Sequence, residues 1–196
     1  MTNVSRPFGF RALNNRGTGP YCGETRGVIF AAGDIVAAFV GDMVKFTGES
    51  IKGRDGKTYS VVEVADPADT RLAGAVQRFD YDDGSDGYIG FRKASTEKIA
   101  YIPQDRSTVY VVQEDSDASA LTTGAAEANI DFVAGAGGST VTNQSSMRLD
   151  SSTVNTTSTL PIRIIELDDT QDNEIGNFAL WKVQLNQDAY INLTGL

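Results

Sequence analysis

The chain has no histidine, one cysteine and no basic run. Without histidine, the commonest general base and the commonest metal ligand are missing, and so are Ser-His-Asp and Cys-His arrangements. A single thiol, Cys22, rules out an intrachain disulfide framework and a thiolate metal cluster. The reading is a protein folded in a reducing cytoplasm, with a buried or unreactive thiol favoured over a cross-link between subunits. No 18-residue apolar stretch occurs, and Met1 to Pro7 shows no apolar leader, so neither a membrane span nor a signal peptide is expected. The densest basic group, Lys45, Lys52, Arg54 and Lys57, is diluted by Glu49 and Asp55 in a chain of net charge −9. Nucleic-acid binding, which needs cations gathered on one face, is not expected.

What is present is 196 residues, enough for a real core, with 40% hydrophobic and only 22% charged side chains. Gly, Ser, Thr, Asp and Asn are abundant, which suits short strands joined by many turns. The expected class is mostly β, a β-barrel or sandwich body with an extended N-terminal arm and little helix.

Three segments follow from the pattern. Residues 1–26 hold two Pro, four Gly and scattered apolar residues at Phe8, Phe10, Leu13 and Tyr21, fitting neither period 2 nor period 3.6. They read as an extended arm whose rings Phe8, Phe10 and Tyr21 find burial in a partner. Removal of residues 1–22 is accordingly expected to leave a folded body. Residues 27–103 read as a first β unit. Its strands are Val28–Phe30, Met43–Thr47 ending at Gly48, Thr58–Val64 after a hairpin loop, Leu72–Phe79, and Lys98–Ile102 before Pro103. Residues 104–196 read as a second barrel or sandwich unit, with strands at Thr108–Gln113, Asn129–Val133, Pro161–Leu167 and Phe178–Asn186. In the last, Ala179, Trp181, Val183 and Leu185 share one face, opposite Lys182, Gln184 and Asn186. The tract 116–128 reads as a loop with one helical turn at most.

Candidate chemistry is thin. Gly135-Ala136-Gly137-Gly138 lacks the Lys and the following helix of a phosphate loop, and reads as plain loop. Carboxylates concentrate in turn-like runs at 80–86, 114–117 and 168–174, where solvated Asp and Glu bond nearby amides; a glycosidase-type acid/base pair is a minor reading. The run Asp80 to Gly87 has the wrong spacing for an EF-hand, since Gly84 and Lys93 fall where ligands belong. An acidic turn is favoured over an irregular Ca²⁺ site. Trp181 lies on an apolar face and reads as core rather than as a sugar platform. No cofactor and no metal are expected.

A resemblance adds to this. Arg6-Pro7-Phe8-Gly9-Phe10-Arg11 through Gly19-Pro20-Tyr21 resembles the start of a group of tailed-bacteriophage virion structural proteins, capsid cement (decoration) proteins among them. Similar pieces follow in order: Tyr101-Ile102-Pro103, Val112-Gln113-Glu114-Asp115, Ala128 to Asp131, Ser145 to Asp150, and Asp172 to Asn177 running into Trp181-Lys182-Val183 and Leu185-Asn186. Members tend to carry a His shortly after that last Asn, where this chain has Gln187-Asp188. The resemblance implies a non-enzymatic protein on the outer capsid surface of the virion, made in the host cytoplasm. Its partners would be the major capsid protein and itself, as a homotrimer or, second, a homodimer. Arg6, Phe8, Phe10, Arg11 and Tyr21 are then the candidate partner-binding residues. The alternative from the same residues is a virion β domain that binds a host surface or carbohydrate.

Overall fold

The alternating stretches become thirteen strands in a computed structural model that describes residues 3–16, 19–21, 23–67, 69, 71–81, 89–117, 119–134 and 137–189. Cys22, Gly135, Ala136 and most of the acidic turn at 80–87 lie outside the described residues. Among the described residues, helix is confined to one 3₁₀ turn, Thr123–Ala125. The mostly β reading is borne out. Among the described residues no helix is long and apolar enough to cross a membrane.

Six strands form one sheet: β3 (Thr25–Phe30), β4 (Met43–Lys52), β5 (Thr58–Val64), β6 (Leu72–Ala75), β7 (Arg78–Phe79) and β8 (Lys98–Pro103). Their order is β6-β4-β5-β3-β8-β7, antiparallel except where β3 runs parallel to β5. The predicted strand ending at Gly48 in fact runs on to Lys52. Gly48, at φ 88°, sits inside the irregular register between Phe46 and Ser50 rather than at a strand end. The predicted strand 72–79 is split. Val76 and Gln77 leave the ladder between β6 and β7, and the Val76 carbonyl accepts the Gly41 N–H at 2.7 Å.

The second sheet holds seven strands in the order β11-β10-β12-β13-β9-β1-β2. They are β1 (Arg11–Asn15), β2 (Gly19–Pro20), β9 (Thr108–Gln113), β10 (Asn129–Val133), β11 (Arg148–Asn155), β12 (Ile162–Leu167) and β13 (Leu180–Leu185). The alternation in β13 places Trp181 and Val183 in the core and leaves Lys182 and Gln184 half-exposed. At one end this sheet rolls back on itself. Glu114, just past β9, bridges to Leu149 of β11, and the Asp115 N–H donates to the Leu149 carbonyl at 3.0 Å.

The two sheets divide the chain near residue 103, but the core runs across that division. Met43, Ala65, Leu72 and Ala75 pack in one cluster with Tyr110, Phe132, Leu149 and Trp181. Leu72 also exchanges backbone bonds of 2.9 Å with Gln187 and Ala189.

The arm requires a correction. Residues 11–15 are a strand of the body, antiparallel to β9 with Arg11 opposite Val111 and Asn15 opposite Thr108. The polar, glycine-broken stretch has no periodicity of its own because its partners lie about a hundred residues away. A strand that joins a sheet edge needs a complementary neighbour more than an alternating pattern.

Candidate partner-docking groove

The arm is held along its length by side chains from distant elements. The Asn3 amide donates to the carbonyls of Glu174 and Asn177 at 2.6 and 3.2 Å. The Gln113 side chain accepts the Arg6 N–H at 2.9 Å and donates to the Val4 carbonyl at 3.0 Å. Gln77 does the same further on, accepting from the Ala12 N–H at 3.1 Å and donating to the Phe10 carbonyl at 3.3 Å. Between these clamps the arm crosses the 38–42 loop glycine on glycine. Gly9 and Gly41 have φ of 71° and 95°, and a Cβ on Gly9 would stand 2.4 Å from the Gly41 carbonyl oxygen. The contact is sealed by the Phe10 N–H donating to that same carbonyl at 2.9 Å.

Phe10 was expected to bury in a partner; it is fully buried in its own subunit. Its ring meets Tyr110 and Phe132 edge-on, at centroid distances of 6.3 and 6.0 Å. The positive φ at Gly9 turns the chain so that successive rings point apart, Phe10 inward and Phe8 toward the surface. Phe8 is half-buried, and the Arg11 guanidinium lies over its ring 5.1 Å from the centroid. Tyr21 lies away from both. Its N–H donates to the Leu13 carbonyl and its hydroxyl to the Glu24 carbonyl, each at 3.3 Å. Burial raises its phenol pKa, opposed by the nearby Arg78 cation.

The structure thus brings four of the five candidate residues together, with Phe10 forming the buried base beneath the other three. Arg6, Phe8 and Arg11 line a surface groove of about 530 Å³ with Pro7, Gln77 and Gln144. Its far wall is the 139–144 loop, tied to the 38–42 loop by Val40 N–H to Asn143 O at 3.0 Å and Ser145 N–H to Val40 O at 2.8 Å. Gln77, Gln113, Gly41 and Gln144 went unrecognised as site residues. Each acts through a contact remote in sequence, and no local pattern marks such a glutamine or glycine.

Other features have their places. Trp181 is core: its Nε1–H donates at 3.1 Å to Glu114 Oε2, which also accepts the Leu121 N–H at 3.2 Å. Glu114 is fully buried with Oε1 left without a partner, and burial pushes its pKa up to about 7. Burial likewise pushes Asp42 up to about 6 against bonds from Ser145 and the Phe39 amide. The carboxylates of Asp115, Asp117 and Asp150 lie within 4.8 Å of one another. They are already engaged by Ser151 and Ser152, whose hydroxyls donate to them at 2.6–2.9 Å. On another face the buried Arg92 braces the 31–37 loop. It donates to the carbonyls of Ala31, Asp34 and Val36 and pairs with the Asp34 carboxylate at 3.0 Å. The loop's tip, Ile35, is left 79% exposed.

Comparisons with family models, with curated proteins and with solved structures find no match to this chain.

Proposed function

We propose that this protein is a structural cement protein that binds the outer surface of a bacteriophage capsid and bridges neighbouring capsomers. The single observation that supports it best is the groove: a shaped surface of arm residues, clamped at Gln77, Gln113 and Gly41 onto a rigid two-sheet body. The ordered likeness of its segments to virion proteins points the same way. In this reading the major capsid protein is the principal partner and further copies of the chain are the second, as a homotrimer or a homodimer.

Such a role needs binding and no chemistry. A standard interface buries about 800 Å² on each partner. Footprints linked in one rigid body make the second and third contacts intramolecular, which raises avidity by about 10²–10⁴. Arm residues already ordered in the free chain add to this, because little conformational entropy is then lost on docking.

The test is to add purified protein to heads that lack it and image them. Ordered extra density at fixed lattice positions, with heads that rupture at higher temperature, is the expected result. Bare heads at micromolar protein would overturn the reading. Truncation of residues 1–22 is the wrong variant for this purpose, since it removes β1 and Phe10 from the body.

A further inference from the structure

The groove has a charge that the rest of the molecule does not. The chain carries 26 Asp and Glu against 17 Lys and Arg. Several of the described cations have found acids: Arg92 pairs with Asp34, Lys45 with Glu63 and Asp69, Arg163 with Glu127, Lys182 with Glu166 and Asp169. Along the arm Arg16 still meets Glu127 at 3.7 Å, but between residues 6 and 11 this stops. Arg6 and Arg11 line the groove, and no carboxylate lines it with them. Arg11 rests on the Phe8 ring, and Arg148 reaches the Ser5 hydroxyl at 2.9 Å while its Nε has no acceptor. Among the described residues none of these three guanidiniums makes an ion pair. Three such guanidiniums gathered near one face of an acidic protein leave a local positive field there.

We infer that this arginine strip receives an acidic, extended segment of the partner protein, with carboxylates on Arg6 and Arg11 and an apolar side chain against Phe8. The inference rests on the cement reading for where that partner is found, and deepens it by naming what the docking face takes. A guanidinium offers a planar fork of donors that fits a carboxylate two bonds at a time. The Arg6 backbone is fixed by Gln113 and the Arg11 backbone by the β9 ladder, so both cations are positioned before a partner arrives. The Val4 and Phe10 carbonyls are already taken by Gln113 and Gln77, and the selectivity is assigned to the side chains. The chain's own net charge of −9 disfavours nucleic acid as occupant, since a long polyanion meets the acidic surface beyond the groove.

The test uses the full chain with arginine Nε–Hε NMR signals and a defined probe, a capped hexapeptide of alternating glutamate and tyrosine. Its lysine–tyrosine counterpart is the control. Selective shifts at Arg6 and Arg11 with the acidic peptide are expected. Arg11→Glu should weaken its binding at least tenfold, and Lys57→Glu, an equal change in net charge on another face, should change it less than twofold. Equal loss in both variants, or shifts spread over all arginines, overturns the inference. Concentration-dependent self-association abolished by Arg11→Glu also overturns it, in favour of a second copy in the groove. Heads settle which reading fails. If wild type and Arg11→Glu bind heads equally, the groove is wrong and the cement role stands. If neither binds while the peptide still titrates, the cement role is wrong and the groove stands.

Discussion

The seven-stranded sheet is completed at two seams, and they are built differently. At one, the arm adds β1 to β9, and the backbone groups on both sides of the crossing are matched: Gln77 and Gln113 supply donors and acceptors, and Gly9 and Gly41 let the chains touch. At the other, three residues past Val111, Glu114 bridges to Leu149 and carries a buried carboxyl with one oxygen unmatched. A seam whose backbone groups are matched has little reason to respond to pH beyond Asp42 in the 38–42 loop, which burial pushes up to about 6. A buried acid with an orphan oxygen does, because ionising it places a charge where desolvation is uncompensated. The same sheet therefore has a buried acid at each seam, matched at Asp42 and left with one unmatched oxygen at Glu114.

Breaking the arm seam has the largest expected effect. Phe10→Ala removes a ring packed against Tyr110 and Phe132 and should destabilise the fold by about 3–5 kcal/mol. Urea denaturation followed by Trp181 fluorescence measures it; a loss under about 1 kcal/mol would mean the arm is not part of the core. Gly9→Ala comes next, at about 2–4 kcal/mol, from the left-handed backbone and the contact with the Gly41 carbonyl. The same denaturation curve checks it, and an unchanged midpoint would refute the crossing.

The strands rich in apolar residues were legible: β5, β9, β10, β12 and β13 stand where the sequence pattern puts them, give or take one or two residues at an end. β1 was not, although Phe10 and Leu13 were noticed. Reading Phe10 as a ring without a local core was sound, and inferring a foreign core from that was the error, because its missing neighbours were Tyr110 and Phe132 in the same chain. β11, rich in Ser and Asp, was missed for a related reason: one of its two buried positions is Ser151, which bonds the Asp115 carboxylate, so the alternation in burial is not an alternation in hydrophobicity. Of the five candidate residues, Arg6, Phe8, Phe10 and Arg11 line one groove, Phe10 as its buried base, while Tyr21 lies elsewhere. A single positive φ at Gly9 separates Phe8 from Phe10, and nothing in the local composition announces it.

The Glu114 seam can be isolated by pH. Its pKa is raised from 4.5 to about 7, so the folded state holds a proton that the unfolded state has released between those values. The contribution is fully present below pH 4.5, declines as pH rises, and is flat above about 7. Asp42, raised from 3.8 to about 6, slopes the same way over a lower window. The comparison is therefore between wild type and Glu114→Gln, which keeps an acceptor for Trp181 and never ionises. At pH 8 the variant should be the more stable, by roughly 3 kcal/mol at most, with the difference vanishing near pH 4. Equal pH profiles for the two proteins would show that the carboxyl is not strained by its surroundings.

The smallest effect sharpens the contrast within the arm itself. Phe8 is one glycine from Phe10 yet only half-buried, with its exposed face under Arg11. Phe8→Ala forfeits an exposed cation–π contact and a little apolar burial, so stability should fall by less than about 1 kcal/mol. For a chain of this size that is a drop in Tm of no more than about 4 °C. Binding to heads or to the acidic peptide should fall much further, because the ring is the groove's apolar floor and the platform that holds Arg11 in place. A ring serving the fold would show the opposite ratio, with Tm falling as it does for Phe10→Ala and binding following only through the loss of folded protein. The two neighbouring phenylalanines therefore separate what the arm does for its own body from what it offers to another.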